Sequence, residues 1–168
     1  MYISQDPIGL MGGMVLYGYV GDVNGWLDVL GLAKRSPVNE FDLGGFEKLS
    51  LGIKGDGLDS HELLQSVWLR ENHQIGRGKQ SMGKENPSIA LKKTDIHTKI
   101  TALQNKYGMK GAKLRGQSAL QNINRNTALT RRGIYEGLVS RGVDKITTKK
   151  QATELAMKLR ENAIDFGK

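Results

Sequence analysis

Apolar residues recur at helical spacing along much of the chain and alternate in only a few places. Over Glu62 to Asn72, the residues Leu63, Leu64, Val67 and Trp68 fall on one face, which predicts a helix. Asp59 or Ser60 can cap it, with His61 at or just before the first turn. Thr94 reads as the cap of a second helix, from Asp95 to about Tyr107, ended by Gly108. Gln117 to Leu129 and Gly133 to Ser140 read as two short helices. The clearest helix is Lys149 to Asp165, with Ala152, Leu155, Ala156, Leu159 and Ala163 as its apolar stripe and Thr147 or Thr148 as its cap. Strand signals are fewer. Ser88 to Leu91 is a brief apolar strand behind the turn Asn86-Pro87, and Phe41 to Ile53 alternates apolar residues with glycine, predicting a short strand or two with Gly44-Gly45 as a turn. The fold class is therefore α+β, mostly helical.

The 168 residues suffice for one ordinary domain with an appendage, and charge shows where the appendage ends. Met1 to Leu32 carries Asp6, Asp22 and Asp28 and no Lys or Arg, a charge of −3; the whole chain carries +8, so the remainder holds +11. A change that abrupt marks a boundary, with residues 1–32 on one side and a basic domain, residues 33–168, on the other. The first piece is rich in glycine and aromatics and reads as short strands and tight turns, part of a larger β structure. The basic domain points to a polyanionic partner, nucleic acid before a membrane surface. No apolar run is long enough to span a bilayer, and no basic region precedes an apolar stretch at the N-terminus, where the first cation is Lys34, so a signal peptide is not expected. With no cysteine, a metal would have to rest on His, Asp, Glu, Asn or water.

The chemistry gathers between Asp59 and His97, a stretch that holds all three histidines of the chain. Phosphodiester cleavage needs a group to activate water and positive charge on the scissile phosphate; histidine suits the first task, a divalent metal the second. His61-Glu62 is not the start of a zinc-protease helix, because Gln65 stands where that motif needs a second histidine. Asp59 and Glu62 lie within reach of His61 and are candidate metal ligands; they also have capping-box spacing, so either can instead serve a helix start. His73 opens a basic, glycine-rich loop carrying Arg77, Lys79 and Lys84, and a second such loop carries Lys110, Lys113 and Arg115. These six cations are candidates for contacting the nucleic-acid backbone. Trp68, at helical spacing, is expected in the core.

Two resemblances give this pattern a context. The segment from Tyr2 to Ala33, with D-P-I-G-L, L-Y-G-Y and a closing D-V-L-G-L in series, resembles the end of the Rhs (YD-repeat) core, which in that family closes a large β cage. The resemblance implies a variable toxin after the last G-L, exported within the cage by a type VI secretion route, and released by self-cleavage near Leu32 and Ala33. Asp6 and either Asp22 or Asp28 are its candidate carboxylates, although turn formation explains them equally well. It also implies a cognate immunity protein with an acidic face and action in the target-cell cytoplasm. The stretch from Asp59 to Gln104, H-E-L-L-Q followed by N-P-S-I-A-L and a later His, resembles toxins of the HNH/endonuclease VII superfamily. That resemblance implies a ββα-metal nuclease core at about residues 56–107 with extra C-terminal helices. In it His61 is the general base, Asn86 orients that histidine or steadies the loop, and His97 is a metal ligand with Asp59 or Glu62 as a second. The expected ion is Mg²⁺, with Zn²⁺ or another transition metal as alternatives, and the expected substrate DNA, or RNA. A metal-independent ribonuclease using His61 and His97, and a basic module that binds nucleic acid without cutting it, are the competing readings.

Overall fold

The computed structural model describes residues 37–52, 56–73 and 81–166, and over them the chain is α+β and mostly helical. Three short strands, β1 (Leu43–Gly45), β2 (Leu58–Glu62) and β3 (Pro87–Lys92), form one antiparallel sheet in the order β1-β3-β2. β3 takes the centre because it is the most apolar of the three: Ile89, Ala90 and Leu91 are all fully buried, so both of its faces are covered. Helix α1 (Phe46–Gly52) packs on β2 and β3. Gly44 and Gly45 do not form the expected turn but lie within β1, where the absence of side chains lets Leu49 approach the first and the Lys84 backbone the second.

The expected helix over Glu62 to Asn72 divides differently. Residues from Leu58 to Glu62 pair with β3, His61 opposite Ile89 and Asp59 opposite Leu91, and the helix α2 begins at Ser66 and runs to His73. Leu63 and Leu64 are buried in the turn between, and the cap is not Asp59 or Ser60 but the Glu62 carboxylate, which accepts from the Ser66 N–H at 3.1 Å. His61 is thus a strand residue. Trp68 is in the core as expected, its indole N–H donating to the Gln117 carbonyl at 2.9 Å.

After the short helix α3 (Ser81–Lys84), β3 leads directly into a π-helical turn, Lys93–His97, which continues as α4 (Thr98–Lys106) and stops before Gly108 at φ 70°. The Thr98 hydroxyl donates to the Lys93 carbonyl at 2.6 Å within this wider turn. A 3₁₀ turn, Gly111–Leu114, precedes two long helices, α5 (Ala119–Ser140) and α6 (Lys145–Phe166), which pack on each other. Ser118 and Gln121 form a capping box on α5, and the Asp144 carboxylate, rather than Thr147 or Thr148, receives the first free amides of α6. The stripe of α6 is otherwise as expected, with Ala152, Ala156, Leu159 and Ala163 buried.

Where two short helices were expected between Gln117 and Ser140, there is one. Gly133 does not break it; Gly133 and Gly137 lie where Ile100 and Ile96 press against the helix backbone, and a Cβ at either would run into the isoleucine. A helical glycine costs about 1 kcal/mol relative to alanine, which the close crossing offsets by burying Ile96, Ile100 and Ile134 completely. Beside this contact α5 carries a buried polar stripe, Asn122, Asn126 and Thr130, at intervals of four. Asn126 donates to the Leu63 carbonyl at 2.9 Å and accepts from Gln104 at 3.0 Å, tying the turn after β2 to the helices. Arg141, just beyond α5, bridges Glu40 and Asp95 with three 2.7 Å bonds and secures the π turn from outside. Among the described residues no helix is long and apolar enough to cross a membrane.

Gly133→Ala and Gly137→Ala should each destabilise the fold by about 1–3 kcal/mol through overpacking, read as a lower urea midpoint. Gly83→Ala, whose new methyl meets nothing within 4 Å, should leave the midpoint nearly unchanged.

Candidate active site

Successive side chains on a strand point to opposite faces, so Asp59 and His61 share one face of β2, and Ser60 and Glu62 the other. The face with His61 meets α5 and the π turn. There the rings of His61 and His97 pack edge to face with centroids 5.4 Å apart and planes at 68°. His97 Nδ1 lies 3.3 Å from Asp59 Oδ2. On the far side, His61 Nε2 shares a 3.1 Å hydrogen bond with the Thr130 hydroxyl of α5. Four side chains from three elements therefore stand in line: Asp59, His97, His61, Thr130.

The line runs from solvent inwards. The side chains of Asp59 and His97 are 39% and 24% exposed, His61 is 4% exposed, and Thr130 is fully buried. Burial holds the His61 imidazole down to about pKa 3, with the neighbouring His97 a second cause. Burial also lowers His97; Asp59 opposes that and the Lys93 charge adds to it. Both rings are therefore neutral near pH 7, each with one nitrogen able to accept a proton.

Of the candidate residues, the fold brings Asp59, His61 and His97 together. Glu62 points away from them and caps α2; burial raises its carboxyl, partly offset by hydrogen bonds from Asn86 and Ser66. Asn86 is fully buried, and the hydrogen bond of its amide goes to Leu64 rather than to His61. Its amide donates to the Leu64 carbonyl at 2.7 Å, so it fastens the start of β3 to the turn after β2. Lys84 pairs with Glu47 at 2.9 Å and Arg115 with Glu71 at 2.7 Å, whereas Lys110 and Lys113 are exposed. Arg77 and Lys79 lie outside the described residues, as do Asp6, Asp22, Asp28, Leu32 and Ala33. Thr130 and Lys93 belong to the site and were not singled out in the sequence. The available signal was a run of polar residues at intervals of four, Asn122, Asn126 and Thr130, within an otherwise apolar helix face.

Asp59 and His97 can offer a cation two donors, a carboxylate and an imidazole. Among the described residues no three His, Cys, Asp or Glu side chains converge on a site that could hold a metal ion. Compared with protein-family models, with curated proteins and with solved structures, the chain matches none.

The His61 environment has a consequence for stability. The unfolded chain takes up a proton near the ordinary imidazole value, about 6.5, while the fold refuses it until about 3. Between those values the unfolded state binds more protons, so stability falls as pH drops through that window and is indifferent to His61 above it. The loss should reach about 3 kcal/mol by pH 4. Urea midpoints measured from pH 7 to 4 should show this decline, and His61→Gln should make it shallower.

Proposed function

We propose that residues 33–168 form a toxin nuclease that hydrolyses phosphodiester bonds, in DNA before RNA, with Asp59, His61 and His97 at its centre. The observation that carries this reading is the meeting of His61 and His97. Strand β2 pairs with β3, β3 runs without a break into the helical segment, and one histidine from the strand faces one from the helix at 5.4 Å. A ββα-metal nuclease would use a strand pair followed by a helix to bring its two histidines together, and the pairing of β2 with β3 ahead of the helical segment supports that reading, with α2 and α3 between the two strands in the chain. The Rhs-like segment from Tyr2 to Ala33 and the +11 charge beyond it favour a toxin carried by an Rhs cage through type VI secretion. A cognate acidic immunity protein would complete the set of partners.

In this reading Asp59 and His97 hold the divalent ion, Mg²⁺ before Zn²⁺, which when bound supplies Lewis-acid stabilisation of charge on the phosphate. His61 accepts the proton of the attacking water at Nδ1, the ring nitrogen that Thr130 does not engage. An anionic phosphate beside the ring favours its protonated form, the direction a general base needs, while a divalent ion on His97 would oppose it. Asn86 keeps the β2 turn in register. Lys110 and Lys113 bind the backbone without reading sequence, which makes cleavage strongly salt-dependent.

A second reading is favoured by the Asp59–His97 contact. A carboxylate on Nδ1 leaves Nε2 of an accessible imidazole free to take a proton itself, as a metal-independent ribonuclease would require. Removal of divalent ions by chelation separates the two: cleavage of plasmid and total RNA stops under the first and continues under the second. In either, His97→Ala and Asp59→Asn should lower cleavage by about 10²-fold or more and abolish toxicity in cells. Glu62→Gln should spare turnover. Retarded but intact nucleic acid, with His61→Ala and His97→Ala still toxic, would leave a binding module and overturn both.

A further inference from the structure

Thr130 differs from three other helical threonines in where its hydroxyl goes. Thr101, Thr127 and Thr153 each turn the hydroxyl back to the carbonyl one turn earlier, at 3.0, 2.8 and 2.8 Å. Thr130 instead reaches across to His61 Nε2 at 3.1 Å, from a fully buried position on a different element. The helix that delivers it is fixed by the Gly133 and Gly137 crossing, one turn further along. Nε2 and Nδ1 flank Cε1 and their hydrogen-bonding directions diverge widely, so holding one nitrogen also fixes where the other points. Among the described residues Nδ1 of His61 has no hydrogen-bond partner.

We infer that Thr130 is a positioning residue for the proposed reaction: its hydroxyl locks the His61 ring through Nε2 and so presents Nδ1 as the nitrogen that meets water and substrate. The inference rests on the nuclease reading and adds to it that α5, outside the strand-strand-helix core, supplies part of the machinery. A rotating ring would offer the wrong nitrogen part of the time, and the loss would fall on turnover rather than on binding.

The test uses the full chain and nicking of a supercoiled plasmid. Thr130→Val keeps the shape and removes the hydroxyl; it should lower kcat at least about tenfold, within the range one proton-transfer group contributes, with KM little changed. Thr130→Ser should restore most of the rate. Thr130→Val combined with His61→Ala should be no slower than His61→Ala alone, because the threonine acts through the histidine. In protein labelled with ¹⁵N-histidine, Thr130→Val should shift the His61 ring nitrogens and leave those of His97 nearly in place. Should Thr130→Val fail to fold, Thr130→Ala takes its place in every arm. Full turnover in Thr130→Val beside an inactive His61→Ala would overturn the inference, as would additive losses in the double variant or unmoved His61 nitrogens. Undiminished cleavage by His61→Ala is a different result and would overturn the nuclease reading on which the inference stands.

Discussion

The crossing of α5 with the segment from Ile96 to Ile100 is the contact on which the site depends. Two glycines on one helix and two isoleucines on the other bring backbone against side chain with no room for a methyl group. Because Ile96 precedes His97 directly, and Gly133 follows Thr130 by three residues, the same contact fixes how far apart the two functional faces lie. A larger separation would break the His61–Thr130 bond and open the His61–His97 pair. The packing is thus a positional constraint as well as a source of apolar burial.

Around that contact the polar groups divide by depth. Asn86, Asn122 and Asn126 sit in the core; Asn86 and Asn126 donate to backbone carbonyls at the turn after β2, where a buried carbonyl without a partner would be costly, and the Asn122 Oδ1 accepts from Asn126. Asp59 and His97 lie at the surface end and keep access to solvent. His61 stands between, buried enough to remain neutral and adjacent to the one accessible imidazole of the line. Burial keeps the ring neutral but lowers its affinity for a proton, so the base role proposed for it depends on negative charge arriving with the substrate.

Much of the helical content was legible because it follows from periodicity: the apolar stripe of α6, the stop at Gly108, and the core position of Trp68 needed no tertiary information. What could not be read were the places where tertiary contact overrides a local signal. Leu63 and Leu64 have helical spacing with Val67 and Trp68, yet pairing with β3 extends the backbone up to Glu62 and postpones the helix to Ser66. Gly133 is a breaker by propensity and a close-packing residue in fact. Residue type and order singled out Asp59, His61 and His97, and the fold brings these three side chains together. The partner of His61 could not be singled out in that way, because Thr130 is 69 residues away and its hydroxyl looks like that of any helical threonine until the helices cross. Glu62 shows the converse: sequence spacing placed it with Asp59, and the alternation of strand faces separates them.

The central claim is that His61 and His97 act as one unit on a phosphodiester bond. Single-turnover cleavage of plasmid DNA and of RNA by His61→Ala, His97→Ala and the double variant tests it most directly. Groups that work on one reacting centre lose nearly everything together, so the double variant should be about as slow as either single one. Losses that multiply in the double variant, or a single variant that cuts like the parent chain, would contradict the account.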